Sequence, residues 1–204
     1  KPLYRRVVEE TLDYVMREMT DPDGGFYSAQ DADSEGVEGK FFVWRPEEVV
    51  KLLGAPDGEA FNAHFGVTQV GNFEGMSILS VVDDEGALTQ RDAMSEDELT
   101  ALLDRSRARL LEEREGRIHP ERDDKVLTAW SGLMLSAFAE AGAVMDRDDY
   151  TAVAERCAGF LLDQLLMDGR LLRTYKDGRA KLNGYLEDYS FLISGLISLH
   201  EATF

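Results

Sequence analysis

Three pairs of carboxylates are the residues in this chain whose type and spacing are suited to acid–base chemistry. They are Asp31/Asp33, Asp123/Asp124 and Glu187/Asp188. Glycosyl chemistry requires two carboxyl groups, one protonated to act as the acid and one ionised. We therefore predict all six residues as catalytic candidates.

Aromatic and polar side chains stand beside these pairs and are candidates for binding a sugar. An aromatic ring offers a flat face for stacking, and polar groups contact hydroxyls. The predicted binding residues are Tyr27, Gln30, Lys125, Trp130 and Tyr189.

Simpler roles compete with catalysis at each pair. Asp123 or Asp124, and likewise Glu187 or Asp188, could cap the helix that follows by accepting hydrogen bonds from its free N–H groups. The acidic loop 30–39 could be a solvated turn or a weak calcium site. An EF-hand is excluded, because the position that must supply a bidentate glutamate is Phe42.

Several other reaction classes are excluded by what the sequence lacks. His64, His119 and His200 are scattered without zinc-ligand spacing, so no metal site is predicted. The sequence contains no nucleophile elbow, no Walker loop and no dinucleotide fingerprint, and we predict no cofactor. The single cysteine, Cys157, lies in an apolar helical stretch and is predicted to be a buried hydrophobe.

Charge and composition restrict the partners that the chain could bind. Its 204 residues carry 22 Lys+Arg and 40 Asp+Glu, a net charge of −18. Such a charge argues against nucleic acid and against an anionic membrane surface. No apolar run is long enough for a membrane span, and we expect a cytoplasmic location. The start at Lys1, without an initiator Met, suggests a piece of a longer polypeptide.

The pattern of apolar residues predicts a mainly α fold with short β-hairpins near residues 26–44 and 171–176. Segments 127–145 and 186–204 are apolar or small nearly all round, as in helices buried by other helices, whereas segment 150–167 is two-faced. This alternation favours inner and outer helical layers, an α/α toroid.

A toroid would bring the carboxylate pairs together. Its inner helices all begin at the same end, so the loops before Leu127 and Leu186 would open on one face, and the loop carrying Asp31 would fold across it. Crowded carboxylates need neutralisation, for which Lys125, Arg117 and Arg122 are the candidates.

Four sequence blocks resemble a known family. They are residues 24–44 (GGFYSAQDADSEG and EGKFFVW), 72–79 (NFEGMSIL), 123–134 (DDKVLTAWSGLM) and 186–189 (LEDY). They are similar, in the same order, to thioredoxin-domain-containing proteins of the spermatogenesis-associated protein twenty type. Ser131 departs from this pattern, where asparagine is expected.

The resemblance implies a thioredoxin-like domain followed by an (α/α)6 toroid similar to N-acylglucosamine 2-epimerases and six-hairpin glycosidases. No CxxC motif occurs here, so we expect residues 1–204 to be about half of the toroid, with the thioredoxin-like domain and the remainder of the polypeptide missing. The expected function is binding or modification of a small sugar or glycan. The alternative is a non-catalytic scaffold attached to a redox module.

Overall fold

The computed structural model describes residues 1–82 and 94–204 as two compact units, one of residues 1–30 and 122–204, the other of residues 31–82 and 94–121. The fold is mainly α with short antiparallel strands, which confirms the predicted class. In the described ranges no helix is both long and apolar enough to span a bilayer.

In chain order the described elements are α1 (Pro2–Glu18), β1 (Tyr27–Gln30), β2 (Asp33–Ser34), β3 (Val37–Glu38), α2 (Pro46–Leu53), α3 (Ala55–His64), α4 (Glu96–Glu115), β4 (Arg122–Leu127), α5 (Thr128–Met145), α6 (Asp148–Phe160), a π-helical turn (Leu161–Leu165), β5 (Leu166–Met167), β6 (Arg170–Lys176), β7 (Arg179–Asn183) and α7 (Leu186–Thr203).

The first unit contains an antiparallel sheet in the order β1-β4-β6-β5, with β7 also paired to β6. In the central pair Val126 lies opposite Tyr175, and both contact the apolar core on one face of the sheet. Because successive side chains of a strand point to opposite faces, Lys125 and Lys176 lie on the other face. The sheet thus has a core side and an outer side.

The predicted hairpin over residues 26–44 is wrong in its pairing. Strand β1 pairs instead with β4, where Tyr27 lies opposite Val126. The segment predicted as the return strand, residues 40–44, is mostly turn, because the Phe42 N–H donates to the Gly39 carbonyl at 2.8 Å. Local propensity for strand was right at Tyr27, but the partner strand is distant in sequence.

Two further boundaries differ from the sequence predictions. The helix predicted over 150–167 ends at Phe160 and passes through the π-helical turn into β5. Asp168 and Gly169, with φ of 52° and 73°, then turn the chain into β6. The segment before Leu127, predicted as a loop, is strand β4.

Helices α5 and α7 run parallel and touch through their backbones. A side chain at Gly132 would lie 2.7 Å from the Leu192 nitrogen, and one at Gly195 would lie 2.6 Å from the Gly132 carbonyl oxygen. Further along, the Ser136 and Ser198 hydroxyls hydrogen-bond at 2.9 Å. These contacts advance together along both helices, so both helices begin at the same end.

Helix α6 packs antiparallel against α5. Cys157 lies near the start of α5, with Sγ 3.8 Å from the Ser131 carbonyl oxygen. Thr151, near the other end, closely approaches Gly142. The core between these elements is continuous with α1, and its largest fully buried side chains include Phe138 and Tyr150.

The second unit has its own apolar core, formed by α2, α3 and α4 around Phe61, Leu102 and Trp44. Arg117 secures the segment that carries Trp44. Its Nη1 donates to the Phe41 and Val43 carbonyls at 2.9 and 2.8 Å, and its guanidinium lies 4.0 Å from the centre of the Trp44 ring. Burial lowers the pKa of Arg117. Because these hydrogen bonds go to backbone carbonyls, Arg117 has a structural role here, and not the predicted role of neutralising a carboxylate at the site.

Candidate functional site

The beginnings of α5 and α7 are joined by a buried carboxylate. Asp188 is fully buried, and its Oδ1 accepts a hydrogen bond from the Ala129 N–H at 3.1 Å. Its Oδ2 accepts from the Tyr185 N–H at 2.7 Å. Asp188 therefore caps its own helix and also satisfies a free N–H at the start of α5, which a cap alone would not do.

Arg173, on β6, connects this carboxylate to the surface. Its Nη1 donates to Glu187 Oε1 at 2.6 Å and to Asp188 Oδ2 at 3.2 Å. Its guanidinium lies 4.8 Å from the centre of the Tyr185 ring. The hydrogen bond to Glu187 raises the pKa of Arg173. Arg173 thus contacts the exposed carboxylate of Glu187, the buried carboxylate of Asp188 and the Tyr185 ring.

Two aromatic side chains at these helix starts are open to solvent. Trp130, which follows Ala129, is 56% exposed, and Tyr185 is 63% exposed. Trp130 is a predicted stacking residue, whereas Tyr185 is not among the predicted site residues. The usable signal for Tyr185 was its position three residues before Asp188, at the cap of a helix.

Tyr189, the other predicted stacking residue at α7, is held internally. Its hydroxyl oxygen accepts a hydrogen bond from the Leu171 N–H at 2.9 Å, and its ring packs against the core. These contacts give Tyr189 a structural role that links α7 to β6.

The second carboxylate pair lies on strand β4, so the expectation that Asp123 or Asp124 caps a helix is wrong. Asp123 contacts the Nζ atoms of Lys125 at 3.1 Å and Lys176 at 3.5 Å, and the hydrogen bond from Lys125 lowers its pKa. Asp124 pairs with Arg122 at 2.6 Å. Each of these acids is thus neutralised by a neighbour.

The Asp123 and Glu187/Asp188 groups lie on opposite faces of β6. Asp123 contacts Lys176, whereas Glu187 and Asp188 contact Arg173, three positions earlier on the same strand. An odd separation along a strand places two side chains on opposite faces. The two groups therefore do not line one pocket, contrary to the expected convergence.

The remaining pair belongs to the second unit. Asp31 Oδ1 accepts a hydrogen bond from the Asp33 N–H at 3.1 Å. The acidic loop that follows forms its own hairpin, β2–β3, because Glu35 and Gly36 adopt φ of 55° and 73°, as a tight two-residue turn requires. Whether Asp31 and Asp33 approach the other carboxylates stays a prediction.

Tyr27 and Gln30, on β1, also make internal contacts. Gln30 Oε1 accepts a hydrogen bond from the Tyr14 hydroxyl at 2.8 Å. The Arg122 guanidinium lies 4.0 Å from the centre of the Tyr27 ring. Burial, with a further contribution from Asp21, raises the pKa of Tyr27 to about 12. Across residues 1–82 and 94–204, His, Cys, Asp and Glu side chains form no group of three suited to a metal ion.

Among the predicted site residues of the first unit, the structure therefore joins Glu187 and Asp188 and adds Arg173 and Tyr185. Trp130 lies exposed at the start of α5, one residue after the Ala129 N–H that Asp188 accepts. This arrangement offers two exposed rings, an exposed carboxylate and a guanidinium. Such a set can bind a polar ligand that has a flat face. It contains no second accessible carboxyl group for proton transfer, because Asp188 is buried and bonded to three donors.

Comparison with known proteins finds no matching family model. The chain is 32% identical to human spermatogenesis-associated protein 20, with 98% of the chain and 30% of the relative covered. For the rat protein of that name the identity is 33%, with 97% and 29% covered. An uncharacterized protein of Caenorhabditis elegans is 28% identical, with 96% and 31% covered.

The chain thus spans less than a third of the length of these relatives, and nearly all of it takes part in the match. The similarity covers both structural units. This chain is homologous to one portion of spermatogenesis-associated protein 20.

Proposed function

We propose that the beginnings of α5 and α7 form a carbohydrate-binding surface. The observation that carries this proposal is the exposure of Trp130 and Tyr185, 56% and 63%, at helix starts joined by Asp188. Aromatic rings this exposed offer apolar faces to a sugar ring. Their backbone positions are set by helices that touch directly, which favours a preformed surface.

Polar groups beside the rings would bind the sugar hydroxyls. Glu187 accepts hydrogen bonds, and Arg173 donates them while also contacting the Tyr185 ring. Binding is favoured over glycoside hydrolysis, because hydrolysis needs two accessible carboxyl groups on opposite sides of the bond that is cleaved. Of the two carboxylates that contact Arg173, only Glu187 is exposed.

The parallel course of α5 and α7, with α6 antiparallel between them in sequence, supports a place within an (α/α)6 toroid. In such a fold the inner helices begin at the same end, as these two do. The toroid and a thioredoxin-like domain elsewhere in the polypeptide remain part of the proposal.

A second function, as a scaffold that binds another segment or partner, is favoured by an apolar exposed surface on the same helices. Leu133 on α5 and Ile193 and Ile197 on α7 are 48%, 55% and 54% exposed. Apolar residues exposed together on neighbouring helices often mark an interface. This surface would serve association without any sugar.

Tryptophan fluorescence distinguishes the two functions. The chain has two tryptophans, of which Trp44 is 3% exposed, so quenching by acrylamide reports mainly on Trp130. A panel of mono- and disaccharides should include one that protects Trp130 saturably and raises the melting temperature. Saturable protection supports the carbohydrate surface, and its absence across the panel favours the scaffold.

Two tyrosine variants provide matched controls for this titration. Tyr185→Ala should abolish protection, because it removes one of the proposed stacking faces. Tyr4→Ala removes a tyrosine that is equally exposed, 63%, but lies on α1, and it should leave protection unchanged. Equal loss in both variants would contradict the assigned surface.

A further inference from the structure

The outer face of the sheet in the first unit carries a concentration of positive charge. Lys125 on β4, Lys176 on β6, and Arg179 and Lys181 on β7 line one cavity of about 380 Å³, together with Thr174 and Asp177. The chain has only six lysines and a net charge of −18, yet three of the lysines stand here. Half of the lysines of this acidic chain therefore line one cavity.

Strand register explains why these side chains point the same way. Thr174 lies directly opposite Lys181, and Lys176 lies directly opposite Arg179. Residues directly opposite in an antiparallel pair share a face. Lys125 precedes Val126, which pairs with Tyr175 on the core side, so Lys125 lies on the same outer face.

Like charges placed directly opposite one another destabilise a strand pair, as Lys176 and Arg179 must do here. Asp123 offsets part of the charge by contacting both Lys125 and Lys176. Among residues 1–82 and 94–204, Arg179 and Lys181 have no carboxylate partner. Two cations of the cavity are therefore left for a ligand.

The hairpin that carries the two cations has a tight turn. Asp177 and Gly178 both adopt left-handed conformations, with φ of 52° and 74°. Two consecutive positive φ values are the geometry of a two-residue hairpin turn whose twist matches the flanking strands. The turn thus keeps Lys176 and Arg179 in fixed register rather than on a long loop.

We propose that this cavity is an anion site for a small ligand that bears phosphate groups. Lysine and arginine bind phosphate through charge-assisted hydrogen bonds. The volume, about 380 Å³, suits a small molecule. The site lies on the face of β6 opposite Arg173, so it does not depend on the proposed carbohydrate surface.

Calorimetric titration of the protein with pyrophosphate at low ionic strength tests the proposal. We expect saturable binding with one site per chain, weakened by added salt because the cations are exposed. The double variant R179Q/K181Q should weaken binding at least about 10-fold, which corresponds to about 1.4 kcal/mol. Unchanged affinity in this variant would overturn the proposal.

A matched control removes the same charge elsewhere. K51Q/R109Q also lowers the net charge by two, at exposed positions on α2 and α4, and should change the affinity less than about 2-fold, since neither side chain lines the cavity and exposed charges are screened by salt. Equal weakening in both double variants would show that overall charge, not this cavity, attracts the anion. Thermal melts of both variants verify that each is folded.

A third variant is expected to strengthen binding. D123N removes the carboxylate that contacts Lys125 and Lys176, so pyrophosphate should bind more tightly than to the unaltered protein. Weaker binding in D123N would contradict the proposal. A parallel titration with citrate compares a carboxylate ligand with pyrophosphate. Tighter binding of citrate than of pyrophosphate would overturn the assignment to phosphate.

Discussion

Asp188 and Ala129 meet at the start of two parallel helices, where the buried carboxylate of α7 accepts the N–H of α5 at 3.1 Å. Asp188 also binds Arg173, so one side chain joins α5, α7 and β6. No sequence window contains both partners. Asp188 therefore caps its own helix and also makes a tertiary contact with another helix.

Removing this carboxylate should destabilise the fold strongly. Asp188→Ala leaves the Ala129 and Tyr185 N–H groups without their acceptor, while Arg173 keeps Glu187, and should cost about 2–4 kcal/mol. Glu187→Gln alters an exposed partner of the same arginine and should cost less than about 1 kcal/mol. Urea unfolding measures both, and equal effects would contradict the role assigned to Asp188.

Two glycine-to-alanine changes should have opposite effects on stability, because only the one at Gly132 lies where the backbones of α5 and α7 touch. Gly132→Ala places a methyl group 2.7 Å from backbone atoms of α7 and should cost about 2–3 kcal/mol. Gly159→Ala in α6 meets open space and should stabilise by about 0.5–1 kcal/mol, because alanine favours helix. Thermal or urea unfolding tests the pair, and a tolerated alanine at 132 would refute the close packing.

Ser131, where the sequence resemblance leads us to expect asparagine, has a buried hydroxyl with no hydrogen-bond partner within the described part of the chain. Ser131→Ala should therefore leave stability unchanged or raise it by up to about 1 kcal/mol. Thr128→Val is the contrasting change, since it removes the 2.6 Å bond to the Leu172 carbonyl and should cost about 1–3 kcal/mol. A destabilising alanine at 131 would be incompatible with an unpartnered hydroxyl.

Cys157 should be chemically inert in the folded protein. Burial raises the pKa of its thiol to about 12, which leaves almost no thiolate at pH 8. We expect Ellman's reagent to react negligibly under native conditions and to titrate one thiol per chain in guanidinium chloride. Rapid native reaction would disprove the burial.

Glu98 should contribute to stability in a pH-dependent way. Its carboxylate accepts hydrogen bonds from the Ser95 N–H at 2.8 Å and hydroxyl at 2.7 Å, which lower its pKa from 4.5. Since the folded value lies below the unfolded one, the stabilisation is complete above pH 4.5 and is lost as the pH falls through the folded value.

Unfolding free energies of the unaltered protein and Glu98→Gln should thus differ at pH 7 and converge as the pH falls below 4.5. Glu96→Gln removes a charge from the same turn but not the bond to Ser95, and it serves as the control. An unchanging difference across this range would contradict the capping contribution of Glu98.

Helices and caps were the features that local sequence predicted well. The capping box of Ser95 and Glu98 at the start of α4 is a pattern of this kind, because it lies within four residues. The small residues Gly132 and Gly195 mark the close contact of α5 and α7, because glycine permits close backbone approach. These signals are contained in windows shorter than a helix. The expectation that both helices are buried nearly all round is wrong, because Leu133, Ile193 and Ile197 are about half exposed.

Strand partners and side-chain directions were the features that the sequence did not predict. Tyr27 pairs with Val126 across a long stretch of chain, and nothing near Tyr27 specifies that partner. Arg173 carried no motif, although it organises the helix starts. The carboxylate pairs look alike in the sequence. In the structure, Asp123 and Glu187 contact side chains on opposite faces of β6.

Strand β6 carries two neighbouring sets of residues that face different surroundings. Arg173 serves the helix starts, whereas Thr174 and Lys176 face the basic cavity. Adjacent positions in the sequence therefore belong to separate proposed binding surfaces, while Lys125 and Lys181, on different strands, line the same cavity. A graft of the β6–β7 hairpin alone would transfer a fragment of each surface and the whole of neither.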